Sequence, residues 1–248
     1  MNRFFISQSD IRGDEVVLSG EQAHQIRNVL RLKPSERIIV LDNTGYEYEV
    51  VLTSVGKEKV VGRIDSRRAG TAEPQVRLTL YQSLLPRDKF ELVLQKCTEV
   101  GVSRFAPIIT QRSIVRKADA VTLKKLDRWR AIITEAAEQS HRSRIPDLTE
   151  PARFEKVVSQ LNAFDCCLIA SPHEQQTTLQ KVLSGGKAGP QNVALLIGPE
   201  GGFAEREIGL ATEAGAVPVS LGPRILRTET AAIVAAALVL HESEQPPR

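Results

Sequence analysis

The sequence has few of the residues that would indicate a secreted, metal-binding or membrane protein. Its only cysteines, Cys97, Cys166 and Cys167, lack the paired spacing of a metal site. Adjacent strand residues point to opposite faces, so Cys166 and Cys167 are predicted to be separate, reduced core residues. The longest apolar run, AAIVAAALVL, is shorter than the roughly 20 residues that cross a bilayer, and the first residues contain no long apolar stretch. We therefore expect a soluble, cytoplasmic protein with no bound metal and no membrane association.

Charge is present in both signs and restricts function only weakly. The formal net charge of +3 over 248 residues permits nucleic acid as a partner without requiring it. The stretch from Arg104 to Arg153 carries eleven basic and six acidic residues, including Arg116, Lys117, Lys124 and Lys125. Such a stretch can form a phosphate-facing surface, but a solvated helix face has the same composition.

The first seventy residues have the short alternating strands of a small β-barrel. The candidate strands are RFFI, RIIVLD, YEYEVVLTS and KVVGRID, with a turn at Asn43 to Gly45. One helix, EQAHQIRNVLRL, is predicted between them, with Ser19 and Gln22 spaced as a capping box. Its polar face carries His24, Arg27 and Arg31, which could bind an RNA backbone or simply face solvent.

A different pattern follows the segment RRAGTAEPQ, from Arg67 to Gln75. We place the domain boundary there and predict domains at residues 1–70 and 71–248. In the second domain, strand-like segments such as VRLTLYQSLL, RFAPIIT, CCLIA, VALLIG and VPVSLG alternate with helices near residues 88–100, 123–140 and 154–161. This alternation predicts an α/β fold with a mostly parallel sheet. A final helix near residues 229–241 is apolar all round, so it is buried either in its own domain or against a second subunit.

Two glycine-containing loops near the end of the chain predict a binding site. They are IGPEGGF, from Ile197 to Phe203, and LGPRILRTETA, from Leu221 to Ala231. Each lies between an apolar run and a helical pattern, where open α/β folds bind ligands. Glu200 places a carboxylate where a phosphate would need donors, and no Lys-Ser or Lys-Thr pair follows. The site therefore favours a neutral or cationic ligand, although GPEGG alone is also compatible with a simple tight turn.

The motifs together resemble a known family. GPEGG and LGPRILRTETA, with KFELVLQKCTEVGV, PIITQRS and EAAEQSHRSRIP, are similar to the bacterial ribosomal RNA small-subunit methyltransferase E family over nearly the whole chain. The resemblance implies a PUA-like β-barrel followed by a SPOUT-type, trefoil-knotted parallel-sheet domain, and a homodimer. It implies S-adenosylmethionine as methyl donor. The implied acceptor is the N3 ring nitrogen of a uridine in 16S ribosomal RNA, within the assembled small subunit.

The same resemblance suggests which residues form the site. Arg227 is assigned to hold the uracil anion or its phosphate, and Glu229 to orient Arg227 or accept the proton; an ordinary ion pair between them is the alternative. Glu200 is expected to meet a hydroxyl or amino group of the donor. The residues assigned to the cofactor are Ile197, Gly198, Pro199, Glu200, Gly201, Gly202, Leu221, Gly222, Ile225, Leu226 and Thr230. The candidates for RNA binding are Arg3, Arg27, Arg31, Arg112, Arg142 and Arg144.

The sequence departs from the family pattern at two positions. Ala204 stands where the family often has serine, which removes a helix cap. His141 stands where glycine is usual, which affects the local backbone. Two alternative functions remain open: a related SPOUT enzyme that acts on transfer RNA or on a ribose 2′-hydroxyl, and a non-catalytic RNA-binding protein.

Overall fold

The protein forms two compact units. A computed structural model describes residues 1–86, 88–114, 121–183 and 190–243. The first unit consists of Met1–Glu73 together with Ala137–Ile145, and the second of Pro74–Ala136 together with the chain from Pro146 onward. The predicted second domain, 71–248, includes residues 137–145, which comprise the end of the long helix Leu123–Gln139 and the segment directly after it.

The segment 137–145 belongs to the first unit through both apolar contacts and hydrogen bonds. Ala137 and Ile145 pack in one cluster with Phe5, Ile39 and Leu41. The backbone N–H of Phe5 donates to the Glu138 carboxylate at 2.9 Å, and that of Ile145 donates to the Asn43 side chain at 2.7 Å. These partners are about a hundred residues away in sequence, so local patterns could not indicate them.

The first unit contains a six-stranded mixed sheet. Its strands run in the order β1-β4-β5-β6-β3-β2, with β1 parallel to β4 and the other neighbours antiparallel. Alternate strand residues fill its core, among them Val16, Leu18, Ile38, Val40 and Val50. The strands are β1 Arg3–Phe5, β2 Ile11–Arg12, β3 Glu15–Ser19, β4 Arg37–Leu41, β5 Tyr46–Val55 and β6 Lys59–Ala69.

Two predictions in this unit were wrong in detail. The helix expected over residues 21–32 is a short α-helix, α1 (Gly20–His24), followed by a π-helical turn at Gln25–Val29. The predicted capping box does not form, because the Ser19 side chain makes no cap and Gln22 donates to the carbonyl of Phe5 instead. Strand β6 also continues to Ala69, into the predicted linker, because Ala69 pairs with Tyr46.

The second unit contains the predicted parallel sheet. Its strands run in the order β10-β8-β7-β12-β11-β13, with β9 also paired to β8, and every pairing is parallel. The strands are β7 Arg77–Ser83, β8 Arg104–Ile109, β9 Asp147–Leu148, β10 Ala152–Arg153, β11 Cys166–Ala170, β12 Asn192–Ile197 and β13 Ala216–Val219. The α/β class is confirmed.

Among the residues that the structure describes, six α-helices accompany this sheet. They are α2 Lys89–Val100, α3 Leu123–Gln139, α4 Phe154–Val158, α5 Leu179–Leu183, α6 Glu205–Glu213 and α7 Thr228–Ser243. The apolar helix α7 packs on α2, α5, β7 and β12 and buries Ala232, Ala235, Ala236, Val239 and Leu240. Most of its apolar surface is therefore covered by its own unit. Within the described residues, no helix is both long and apolar enough to span a membrane.

Candidate functional site

Three loops form a cavity at the carboxyl edge of the second sheet. Strands β12, β11 and β13 are parallel neighbours, so the loops that follow them leave the sheet at the same edge. Parallel α/β sheets bind ligands at this edge. The cavity has a volume of about 390 Å³. Its lining residues are Lys89, Ala170, Ser171, Pro172, Ile197, Gly198, Pro199, Glu200, Gly202, Leu221, Gly222, Arg224, Ile225, Leu226, Arg227, Thr228 and Ala231.

The two glycine-containing loops are tied together by a buried hydroxyl. Thr228 Oγ1, in the first turn of α7, donates to the Gly198 carbonyl at 2.5 Å. Gln82 Nε2, at the end of β7, donates to the same hydroxyl at 3.3 Å. Both side chains are buried, so these bonds form away from water, where an unpaired partner would be costly. The loops predicted to form one site therefore lie side by side.

The glycines of these loops are required for different reasons. A Cβ on Gly198 would lie 3.0 Å from the Phe203 nitrogen and 3.1 Å from the Gly202 carbonyl carbon, so the loop is too tightly folded for a side chain. Gly202 and Gly222 instead have φ of +66° and +104°, in the region that only glycine enters without strain. A Cβ on Gly201 would make only ordinary contacts with Arg112, at 3.5 and 3.6 Å.

A second set of contacts braces the GPEGG loop from the loop that follows β8. Arg112 Nη1 donates to the Gly201 carbonyl at 2.8 Å and to the Phe203 carbonyl at 3.3 Å. Glu207, only 5% exposed, accepts from the backbone N–H of Gln111 at 2.8 Å and from that of Ala204 at 2.9 Å. These bonds tie the GPEGG loop to the loop after β8 and to the start of α6.

Charged side chains of both signs meet at the cavity. Lys89 Nζ lies 3.0 Å from Glu200 Oε1 and 3.9 Å from Glu229 Oε2. Glu229 Oε2 is buried and has no hydrogen-bond partner among the described residues. Arg224 and Arg227 line the cavity and are exposed. Among the described residues Lys89 stands near Glu229 without a hydrogen bond to it, and the alternative ion pair between Arg227 and Glu229 is not formed.

The cysteines are unsuited to nucleophilic chemistry. Burial raises the pKa of Cys97 far above its ordinary value, and burial together with the neighbouring Cys166 raises that of Cys167 to about 11. These thiols are therefore protonated at neutral pH and are weak nucleophiles. Among the residues that the structure describes, no group of three or more His, Cys, Asp and Glu could hold a metal ion.

The cavity combines apolar walls with main-chain polar groups and with side chains of both charges. Ile197, Leu221 and Leu226 supply apolar walls, and Ile225 is 91% exposed beside them. Main-chain groups of the glycine loops offer hydrogen bonds, and Glu200 offers a carboxylate. The exposed Arg224 and Arg227 give the rim a positive charge, which favours an anionic second substrate.

Comparisons with known proteins agree with this arrangement. A family model described as an RNA methyltransferase domain matches residues 72–240, and an RNA methyltransferase PUA domain matches residues 18–65. The ribosomal RNA small subunit methyltransferase E of Bacillus subtilis is 33% identical over 98% of both chains. The chain belongs to the ribosomal RNA small-subunit methyltransferase E family. The resemblance stated from the motifs is thereby confirmed.

Solved structures of similar proteins extend the comparison to the fold. A methyltransferase E from Neisseria gonorrhoeae, bound to S-adenosylmethionine, is 32% identical with a TM-score of 0.85 over 96% of both chains. A methyltransferase from Legionella pneumophila, in complex with the same cofactor, is 33% identical with a TM-score of 0.85 over 96% of both chains. The PUA domain and SPOUT architecture are confirmed; the trefoil knot stays an expectation from the resemblance.

Most residues assigned to the cofactor from the methyltransferase E motifs lie together around the cavity. Nine of them line it: Ile197, Gly198, Pro199, Glu200, Gly202, Leu221, Gly222, Ile225 and Leu226. Gly201 and Thr230 do not. Gly201 faces Arg112, and Thr230 is an exposed residue on the first turn of α7.

Several residues that line the cavity were not among those predicted. Ala170, Ser171 and Pro172 come directly after β11, and the rule that ligands bind at the carboxyl ends of parallel strands could have indicated them. Arg224 and Ala231 lie within the predicted loop and were passed over. Thr228 also lies within that loop, and Lys89 begins the KFELVLQKCTEVGV motif, but their partners Gly198 and Glu200 are distant in sequence, so neither was assigned to the cavity.

The arginines proposed for RNA binding have different environments. Arg27 and Arg31 are exposed on and after the π-helical turn. Arg144 is exposed and donates to the Thr44 carbonyl at 2.6 Å. Arg3 and Arg142 are buried in ion pairs with Glu47 and Glu73, and Arg112 bonds the GPEGG loop. Arg116 and Lys117 lie outside the described residues.

The two departures from the methyltransferase E pattern have local consequences. Ala204 caps α6 without a side-chain bond, but Glu207 accepts the Ala204 N–H, which retains half of a capping box. His141 adopts a φ of +62°, the conformation for which glycine is preferred. The chain therefore keeps the backbone shape of the usual glycine there.

Proposed function

We propose that this protein transfers a methyl group from S-adenosylmethionine to the N3 nitrogen of a uridine in 16S ribosomal RNA. The observation that supports this most is the cavity between the GPEGG and LGPRIL loops. It lies where the sequence motifs predict the donor site, and the similar structures from Neisseria gonorrhoeae and Legionella pneumophila contain bound S-adenosylmethionine.

The residues of the cavity suit this donor. Its volume of about 390 Å³ lies within the range of roughly 300 to 1,000 Å³ typical of small-molecule sites. Ile197, Leu221 and Leu226 would contact the adenine, with main-chain groups of the loops as hydrogen-bonding partners. Glu200 would meet a polar or cationic group. When bound, the donor supplies an electrophilic methyl group on a sulfonium.

The chain's own residues must then prepare the acceptor nitrogen. The imide nitrogen of uracil lies between two carbonyls and becomes a good nucleophile only when its proton leaves. Arg227, exposed at the cavity, would donate hydrogen bonds to the uracil oxygens and stabilise the anion, an effect that typically changes kcat ~10² to 10³-fold. Holding the base in line with the methyl group supplies the entropic part of the rate enhancement. No covalent intermediate with the protein is needed.

The role assigned to Glu229 changes in the light of its surroundings. It was assigned to orient Arg227 or to accept the proton. Glu229 does not line the cavity, and its charged neighbour is Lys89. We therefore propose Glu229 as a positioning residue that acts through Lys89.

The RNA would be bound through exposed cations. Arg224 and Arg227 belong to the second unit, and Arg27, Arg31 and Arg144 to the first. Arg3 and Arg142 are held in buried ion pairs and Arg112 braces the GPEGG loop, so these three are not proposed to bind RNA. Arg144 also donates to a carbonyl, that of Thr44, but this bond does not involve the cavity loops. The proposal includes a homodimer and the assembled small ribosomal subunit as substrate.

Methyl transfer can be tested directly on ribosomal particles. The protein would be incubated with methyl-labelled S-adenosylmethionine and small subunits from a strain that lacks this modification, with naked 16S RNA in parallel. Digestion to nucleosides should yield labelled 3-methyluridine, with more label in subunits than in naked RNA. Label on a ribose or a purine would indicate a different SPOUT activity, and no label despite donor binding would favour a non-catalytic RNA-binding protein.

A further inference from the structure

Lys89 connects three elements at the mouth of the cavity. It begins helix α2, and its ammonium group reaches Glu200 in the GPEGG loop and approaches Glu229 in the first turn of α7. In the proposed mechanism this lysine is only the neighbour through which Glu229 acts, and no role in binding the donor is assigned to it. Its charge lies in a cavity proposed to receive a cationic donor, so the two cations would compete for the same carboxylate.

The two carboxylates beside Lys89 differ in exposure. The Lys89 and Glu200 side chains are 37% and 33% exposed, so their ion pair is solvated and contributes little stability. The Glu229 side chain is only 12% exposed, and its Oε2 atom is buried without a hydrogen-bond partner among the described residues. A buried, unpaired carboxylate oxygen is unfavourable. Lys89 is thus bonded to the solvated carboxylate of Glu200. Its Nζ atom stands 3.9 Å from Oε2 of Glu229, the more buried carboxylate.

We propose that Lys89 is a displaceable counter-ion, which holds Glu200 in the free protein and moves to Glu229 when the ammonium group of the donor binds Glu200. The Lys89 ammonium already shows that such a group fits against this carboxylate. The move keeps Glu200 charge-paired throughout and gives Glu229 Oε2 the partner that it lacks. Glu200 thereby recognises the amino-acid part of the donor, and Glu229 lowers the cost of releasing Lys89. This inference rests on the proposed function.

Calorimetry with three ligands tests the assignment of Glu200. S-adenosylmethionine carries an ammonium and a sulfonium, S-adenosylhomocysteine keeps only the ammonium, and 5′-methylthioadenosine has neither. Glu200→Gln should raise Kd for the first two ligands roughly tenfold or more and leave that for 5′-methylthioadenosine unchanged. Equal losses for all three would assign Glu200 to a ribose hydroxyl, and a loss confined to S-adenosylmethionine would assign it to the sulfonium. Either result overturns the proposal.

Two further variants distinguish displacement from a fixed brace. Lys89→Met removes the competing cation and should lower Kd for the two ammonium ligands by roughly two- to fivefold, the worth of an exposed ion pair. Glu229→Gln removes the second partner of Lys89 and should raise Kd by a similar factor. A static brace predicts weaker binding in Lys89→Met for all three ligands, which would overturn the proposal.

A matched control and one further readout complete the test. Lys96→Met lies on the same helix and removes an exposed ion pair with Glu99, so it should leave every Kd unchanged. Crystals with bound S-adenosylmethionine should show Lys89 Nζ within hydrogen-bonding distance of Glu229, and a retained Lys89–Glu200 bond would contradict the move. If the wild-type protein binds none of the three ligands, the proposed function itself fails, and this inference with it.

Discussion

Gly198 is the residue at which backbone packing restricts the site most tightly. Gly198→Ala places a Cβ 3.0 Å from the Phe203 nitrogen, so the loop must shift. We expect Kd for S-adenosylmethionine to rise about tenfold or more, which corresponds to ~1.4 kcal/mol. Gly201→Ala is the matched control, because its Cβ meets only Arg112 carbons at 3.5 and 3.6 Å. Equal effects in the two variants would show that the close approach at Gly198 does not shape the donor site.

Arg227 separates acceptor chemistry from donor binding. Since it is exposed at the cavity and has no ion pair among the described residues, Arg227→Ala should leave the Kd for S-adenosylmethionine nearly unchanged. The rate of methyl transfer should fall ~10² to 10³-fold, as for removal of one donor to a developing anion. Single-turnover assays measure the rate and calorimetry the affinity. A large loss of affinity with normal turnover would place Arg227 on the donor.

Asp42 gives the first unit a specific dependence on acid. Burial opposes its ionisation, but hydrogen bonds from Thr44 and Tyr48 outweigh burial and hold the pKa of Asp42 below its ordinary value of 3.8. A carboxyl whose pKa is lowered in the folded state stabilises the fold at pH values above its ordinary pKa. This stabilisation is lost as the pH falls through the folded-state pKa.

Thermal unfolding from pH 7 to 3 therefore tests Asp42→Asn. The variant should be less stable than the wild type at pH 7, and the difference should shrink below about pH 3.8. Asp14→Asn, at an exposed position, is the control and should follow the wild type throughout. A difference that is constant with pH would show that Asp42 acts through packing and not through its charge.

At the scale of single residues, the sequence predicted the site residues that lie within a motif. It did not predict the residues that contact the motif from distant parts of the chain. The lining glycines and Glu200 were identified because their loops are contiguous. Lys89 and Arg112 act on the GPEGG loop from about a hundred residues away, and Glu207 reaches back to Gln111. Such pairings depend on which strands are neighbours in the sheet, and local sequence patterns do not determine the strand order.

Glu207 shows how one side chain holds a helix and a loop in place. It accepts from Ala204 at the start of α6 and from Gln111 in the neighbouring loop. Glu207→Gln turns one acceptor oxygen into a donor that faces a backbone N–H, so one buried bond is lost. We expect the free energy of unfolding to fall by ~1 to 3 kcal/mol.

Chemical denaturation measures this loss, with Glu205→Gln as the control. Glu205 lies in the same first turn of α6 but is exposed, so its substitution removes the same charge near the helix N-terminus and no buried bond. Glu205→Gln should lower the free energy of unfolding by a few tenths of a kcal/mol. A negative charge near a helix N-terminus usually contributes ~0.3 to 1 kcal/mol. Equal losses in both variants would mean that only the helix dipole is involved.

At the scale of elements, periodicity predicted well where one face of a long segment is buried. Helices α2, α3 and α7 and strands β7, β8, β11 and β12 lie within a few residues of their predicted bounds. Short elements were less readable. Strand β3 was not predicted, and the helix predicted in the first unit continues as a π-helical turn after one short α-helical segment. In the helix, tertiary hydrogen bonds such as that from Gln22 to Phe5 outweigh local preference.

At the scale of the whole molecule, the resemblance implied more than the fold alone does. The α/β class follows from the alternation of strands and helices, whereas the PUA domain and SPOUT architecture were recognised from motifs and then confirmed. The position of residues 137–145 in the first unit was not predicted. The end of helix α3 lies in this segment, and a helical pattern in the sequence does not show where one compact unit ends and the other begins.

The proposed homodimer is also a property of the whole molecule. Leu92 on α2 and Leu238 on α7 are large apolar residues that stay about 40% exposed on two helices in mutual contact. Light scattering coupled to gel filtration should give twice the chain mass of 27.3 kDa. Leu238→Glu should shift the protein towards monomer if this surface is the interface. A wild-type protein that elutes as a monomer at micromolar concentration would contradict the proposal.

The central claim is that two loops, joined through Thr228 and Gly198, form the donor site. The most direct measurement is a crystal structure of the protein grown with S-adenosylmethionine. We predict the adenosine between residues 197–202 and 221–226, with its sulfonium methyl facing Arg227. Donor bound at any other place, or donor bound only after the two loops have separated, would contradict the account.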